Sequence, residues 1–239
     1  MDKMGALYPE EGMTEAMLTT RRDALFSAVG FASAALPTAA LAASGLTDHP
    51  ETSAARAPSV DQSIPIPPLE FDHAGQLIVR ASATSAVSDF DYLVGRWRLR
   101  NRKLTCRLNG CVDWTPVFDS YVEMEKILGG AGNTDKYVES RNGNPFYGFA
   151  LRLFDPGTRL WSIYWADGGS GSLGSPVVGS FDRSMGHFFG PDAFNGRPII
   201  VVFRWDVRNP QLPVWSQAFS VDRGRTWEWN SVNVSERIS

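Results

Sequence analysis

The rhythm of apolar positions changes near residue 89. Before it lies one apolar stretch, Ala24 to Ala43, and then a run over residues 44–68 rich in Ala, Ser, Thr and Pro that ends Ile64-Pro65-Ile66-Pro67-Pro68. After it come short segments that alternate with period two. Ile199, Val201, Phe203 and Trp205 share one face of such a segment, and Trp215, Gln217, Phe219 and Val221 share one face of the next. Period two is the signature of a strand with one face turned to a core. The pattern predicts strands near 93–105, 111–128, 134–140, 146–154, 159–166, 176–181, 186–190, 198–206, 213–221 and 226–236. Turn residues separate them: Asn109-Gly110, Asn142-Gly143, Asp155-Pro156-Gly157, Asp182 to Gly186, Asn209-Pro210 and Asp222-Arg223-Gly224. No window after residue 86 has helical period. About ten short strands with short turns predict an all-β fold, an antiparallel up-and-down closed barrel, because closure removes exposed edges.

Both faces of 146–154 and 159–166 are apolar or aromatic, as expected where one face lines an interior and the other packs beneath a further element. Residues 69–85 are read either as carrying a short strand at Leu77-Ile78-Val79 or as a clasp against the barrel.

The residues before the barrel divide in two. Thr20-Arg21-Arg22-Asp23-Ala24-Leu25-Phe26, the apolar run behind it and the small-residue site Ala40-Leu41-Ala42 are the parts of a cleavable signal, and the paired arginines resemble a twin-arginine signal. The chain is thus expected to hold a signal peptide over 1–43, a linker over 44–85 whose composition builds no core, and one barrel domain over 86–239. The resemblance implies transport by the twin-arginine export machinery to a periplasmic or secreted location. An Ala-rich, weakly apolar segment favours cleavage over a lasting membrane span.

Charge narrows the partners. The first 43 residues hold three of the chain's 23 basic and five of its 26 acidic residues, leaving 20 against 21. A near-neutral domain has no general attraction for nucleic acid or anionic lipid. All eight Trp residues fall after position 96, in strands suited to an apolar ligand wall. The two cysteines, Cys106 and Cys111, flank a turn; an exporting route permits a disulfide, and two reduced thiols are the other reading. Two cysteines make no four-ligand zinc site, and no cofactor motif is visible.

Asp89-Phe90-Asp91-Tyr92-Leu93-Val94-Gly95-Arg96-Trp97 resembles the opening of a bacterial family known as domain of unknown function 1579. Phe154-Asp155-Pro156 with Trp161 to Gly168, Pro176 to Phe181, and Trp215 to Trp227 are similar to its later strands. The likeness spans about residues 89–237. Gly95-Arg96-Trp97 is also similar to the opening of lipocalin-like, or calycin, barrels, where the Trp packs across the barrel floor. The family has no agreed activity, so the resemblance implies a fold and no mechanism.

Candidate chemistry is sparse. Trp161, Tyr164 and Trp165 on one strand, with Phe146, Tyr147 and Phe149 on its hairpin partner, read as an aromatic-walled pocket or as plain core. Arg152 and Arg204 interrupt apolar strands, and each reads as an anchor for a ligand carboxylate or phosphate, as half of an ion pair with Glu123, Glu125, Asp167 or Glu228, or as an outward side chain. Gln217 joins the pocket candidates through its face. Arg96, Arg98, Arg100 and Arg102 form a stripe outside the barrel if Trp97 points inward. His187 is the one histidine after residue 86 and reads as structural rather than as a haem ligand. Gly168 to Gly174 reads as a lid over the barrel mouth.

The expected function is that of a small-molecule-binding protein, its ligand partly apolar and carrying at most one anionic group. Two alternatives stand beside it: an enzyme using Glu123 or Asp167 as a general base next to an Arg, and a partner-binding domain with a filled interior.

Overall fold

The computed structural model describes residues 56–238; the signal-peptide reading, residues 1–43, and the start of the linker fall outside them. The described chain is all-β apart from single 3-10 turns. A two-stranded hairpin, β1 (Glu70–Phe71) with β2 (Leu77–Ile78), precedes ten barrel strands. These are β3 (Gly95–Lys103), β4 (Phe118–Ile127), β5 (Gly132–Arg141), β6 (Asn144–Asp155), β7 (Leu160–Asp167), β8 (Val177–Asp182), β9 (Met185–Phe194), β10 (Arg197–Asp206), β11 (Val214–Ser220) and β12 (Glu228–Arg237). Each pairs antiparallel with the next in sequence, and β12 pairs with β3 to close the barrel.

Turn chemistry sets the corners. Asn142 and Gly143 both take positive φ (51° and 81°), the geometry of a two-residue hairpin whose twist matches its strands. Asn195 and Gly196 do the same (49° and 75°), so β9 runs on to Phe194 rather than ending at residue 190 as the apolar pattern suggests. The strand expected over 111–128 begins only at Phe118. Residues 104–117 leave the ladder as a loop closed by a disulfide between Cys106 and Cys111, with Cα atoms 5.7 Å apart.

Alternation places Trp97, Leu99, Asn101 and Lys103 of β3 inside and the four arginines of the stripe outside. There Arg98 pairs with Glu236 and Asp119, Arg100 reaches Glu236, and Arg102 donates to the carbonyl of Thr115. One end of the barrel is closed by the segment entering β3. Phe90 meets Trp161, Phe181 and Trp205 edge-on, with centroids 5.0–5.4 Å apart. Trp97 lies across this floor, its indole N–H donating to the Leu93 carbonyl (2.8 Å), and Arg237 stacks over its ring at 4.1 Å. Edge-to-face rings of this kind add stabilisation beyond their buried area.

The other end lies under the disulfide loop. Leu108 packs on the core, its backbone N–H held by the Glu228 carboxylate, and the Arg107 guanidinium sits over Phe219.

The part of the compositional linker that the structure describes runs along the outer wall of the barrel. Ile66, Leu69 and Leu77 cover a second apolar cluster formed outside by Phe189, Val202, Ala218, Trp227 and Trp229. A Pro-rich segment builds no core of its own, but here it is laid on a ready-made apolar face and acts as a strap. This second face explains why strands such as β10 are apolar on both sides.

Candidate functional site

The barrel interior contains a cavity of about 100 Å³. Its walls are Trp97, Trp165, Trp205, Trp215, Tyr137 and Phe203, completed by Leu99, Val122, Met124 and Ile163. Every ring comes from an inward position of a strand, so the aromatic lining follows from period two on β3, β5, β7, β10 and β11. The cavity reaches Tyr164, Trp165, Gly174 and Ser175. That is where β7 and β8 part, because their ladder covers only Trp161 to Ile163 against Gly179 to Val177. The glycine-rich segment read as a lid thus borders the cavity from the side. Asp167 shapes it, accepting hydrogen bonds from the backbone of Gly169 and Ser170, both 2.8 Å.

One ion pair stands in this apolar setting. Arg152 of β6 donates to both oxygens of Asp135 on β5, at 2.8 and 2.5 Å, and to Asn133 at 3.0 Å. Its guanidinium also lies 5.0 Å from the Phe90 ring centre. Burial works against the Arg152 charge, but the Asp135 carboxylate outweighs it and holds the pKa above its ordinary value. The partner is therefore Asp135 and none of the four acids expected from the sequence. Glu125 pairs with Lys136 on the outside, Glu228 holds the disulfide loop, and Glu123 is exposed.

Toward the disulfide loop the interior turns polar. Asn101 donates to Ser120 (2.9 Å), Gln217 donates to Asn230 (2.8 Å), and the Tyr137 hydroxyl and Arg141 both donate to Glu139. Lys103 lies 4.3 Å from the Phe118 ring centre. Burial pulls its ammonium down to about 7, with Glu139 opposing in part.

The residues singled out from the sequence separate into three groups. Arg152, Tyr164 and Trp165 border the cavity. Trp161 is buried beneath it, against Phe90 and Phe154, while Gln217 is buried in the polar layer. Tyr147 and Arg204 point away: Tyr147 is 62% exposed on the outer face of β6. Arg204 lies under the strap, donating to the carbonyls of Asp61 (2.9 Å) and Ile64 (3.2 Å) and stacking on Trp229 at 4.2 Å. Its alternation with inward Phe203 and Trp205 carries that signal, but the strap that satisfies it does not show in the strand pattern.

Of the two carboxylates in the general-base alternative, Glu123 faces outward, and Asp167 is buried and accepts from the loop it caps and from the Trp165 indole. His187 also faces outward, stacked on Phe189, with burial and then Arg204 pushing it down to about 4. Among the described residues no three His, Cys, Asp or Glu side chains gather as a metal site. Sequence reasoning misses Asp135, Tyr137, Phe203, Trp205, Trp215 and Asn233 as cavity residues; strand alternation marks most of them as inward, but the depth of each position along the barrel comes only with the register.

Several buried polar atoms of this interior have no protein partner: Arg152 Nε, Tyr92 OH, Asn233 Oδ1, Ser231 Oγ and Gln217 Oε1. Leaving such a group unpaired costs about 1–3 kcal/mol, so native proteins keep few of them. No protein-family model matches this chain, and no curated protein matches it.

Proposed function

We propose that the chain is an exported, lipocalin-like small-molecule-binding protein, related to the family of domain 1579, whose barrel cavity holds a partly apolar ligand. The observation that supports this most is the ring-lined cavity of about 100 Å³ inside the barrel. Mostly apolar walls with a few convergent polar groups are the usual make-up of a ligand pocket. An engineered apolar cavity of about 150 Å³ takes up benzene, so a cavity of about 100 Å³ limits the ligand to at most a single small ring. Burial and ring contacts supply the affinity. The opening between β7 and β8 is the route in, bordered by Gly174 and Ser175.

Export rests on the Arg21-Arg22 motif and the apolar run behind it. It is tested by following a fractionated reporter fusion with Arg21→Lys and Arg22→Lys together; retention in the cytoplasm supports the twin-arginine route. Binding is tested by native mass spectrometry of protein purified from its own export compartment. A retained mass no larger than about one small ring supports the reading. A bare protein mass, with no thermal shift across a metabolite panel, counts against it.

A further inference from the structure

A larger hollow lies outside the barrel. A cleft of about 390 Å³ separates the β1–β2 hairpin and its flanks from the outer wall of β8 and β9. Its floor is Ser180 and Asp182 of β8 with Met185, His187 and Phe189 of β9. Ser180 faces His187 and Asp182 faces Met185 across the ladder, so period two puts all five on the outer face. Pro67, Leu69, Ile78 and Val79 form the opposite wall. The strap is pinned on both sides of the cleft. Arg204 holds the carbonyls of Asp61 and Ile64, and farther along the Ser82 N–H donates to Ser180 Oγ (2.9 Å) while the Ser82 carbonyl accepts from Arg159. Walls fixed in this way need no ordering when a ligand binds.

The charges of the lining do not balance. Glu70 and Arg80 pair with each other at 3.1 Å. Burial and the neighbouring Arg204 charge push His187 down to about 4, so its ring is uncharged at neutral pH. Asp182 is left over. It is exposed and forms no ion pair among the described residues; its Oδ1 accepts from the hydroxyls of Ser82 (3.3 Å) and Thr84 (3.2 Å). Arg204, and Arg183 next in the chain, are not part of the lining. We propose that this cleft is a second binding site, for an organic cation of one or two rings whose ammonium group meets Asp182 and whose apolar body lies between Ile78, Met185 and Phe189. The size follows from the volume, since clefts of about 300–1,000 Å³ take drug-sized ligands, and the sign of the charge follows from Asp182. The site is independent of the barrel cavity.

Titration calorimetry on the full chain tests it with three indoles that differ in charge: tryptamine, a cation at neutral pH, the neutral tryptophol and the anion indole-3-propionate. Two fused rings are too bulky for the barrel cavity, so the outcome leaves the barrel reading untouched. Tryptamine is expected to bind about fivefold tighter than tryptophol, the upper range for an exposed ion pair, and indole-3-propionate more weakly than either. Salt is expected to shrink the advantage of the cation. Asp182→Asn, checked for folding by its thermal melt, is expected to bring tryptamine down to the level of tryptophol. The unmodified chain gives a readout that needs no variant: in NMR spectra tryptamine is expected to shift the imidazole C–H signals of His187 and to leave the indole N–H of Trp97, at the barrel floor, in place. No saturable binding of tryptamine, tryptophol or the anion binding as tightly as the cation, a folded Asp182→Asn protein that keeps the cation preference, or shifts at Trp97 without shifts at His187 each overturns the assignment.

Discussion

Replacing Asp135 by Asn removes one charge from the interior and leaves its partner in place. Arg152 is 4% exposed, with only the amide of Asn133 and the nearby faces of Phe90 and Trp205 (5.0 and 5.8 Å) to replace a two-pronged carboxylate. Cation–π contacts supply up to about 2 kcal/mol when desolvated. Stranding one member of a buried pair costs about 3–5 kcal/mol, a large share of the ~5–15 kcal/mol by which a domain is stable. The double variant Asp135→Leu with Arg152→Met removes both charges at similar volume, and such replacements are neutral or stabilising by about 1–4 kcal/mol. Urea unfolding followed by tryptophan fluorescence reads both. The expected order is Asp135→Asn far below wild type and the double variant at or above it. A single substitution costing under about 1 kcal/mol, or a double variant as unstable as the single, refutes the claim that this pair is buried and self-contained.

Other perturbations reach different parts of the account. A Cβ on Gly148 would lie 2.1 Å from the Trp165 ring, so Gly148→Ala is expected to drive that ring into the cavity, abolish toluene binding and cost about 1–3 kcal/mol, with far-UV circular dichroism unchanged. The Lys103 ammonium falls to about 7 in the folded chain against 10.5 unfolded. Between those values the unfolded state holds the extra proton, so stability is expected to rise as pH is raised from about 7 toward 10; Lys103→Met should flatten that slope in thermal melts at pH 7 and 9.5. Closing a six-residue loop by Cys106–Cys111 is worth about 2 kcal/mol in the chain-entropy picture. Cys106→Ser with Cys111→Ser is expected to lower stability by that order and to raise hydrogen exchange at Leu108, where the loop meets the barrel. Truncating Phe90 to Ala at the floor is expected to cost about 3–5 kcal/mol, read by the same urea titration.

Much of the barrel is legible in the sequence. Period two survives in strands such as β7 and β10, whose inner faces are mostly apolar, and explicit turns such as Asn142-Gly143 mark the corners. The errors have local causes. Asn195-Gly196 carries the same hairpin chemistry, but the polar residues before it mask the end of β9. Residues 111–117 look like the start of a strand, yet the disulfide and the anchoring of Leu108 by Glu228 turn them across the barrel end instead.

The site was less legible, for a physical reason. Alternation says which side chains point inward but not how deep each lies, and depth depends on register between strands. Asp135 faces Ala150, and its neighbour Asn133 faces Arg152; only this pairing brings the two charges together. Arg204 fails differently. Its partners are backbone carbonyls of Asp61 and Ile64, which carry no side-chain signature.

The most direct check is a crystal of the protein held under xenon pressure, since xenon enters dry apolar cavities and scatters strongly. A peak among Trp97, Met124, Phe203 and Trp205 is the predicted result. Clear density for those rings with no xenon between them, in crystals where the gas marks other sites, would mean that the barrel is packed solid and carries no ligand within.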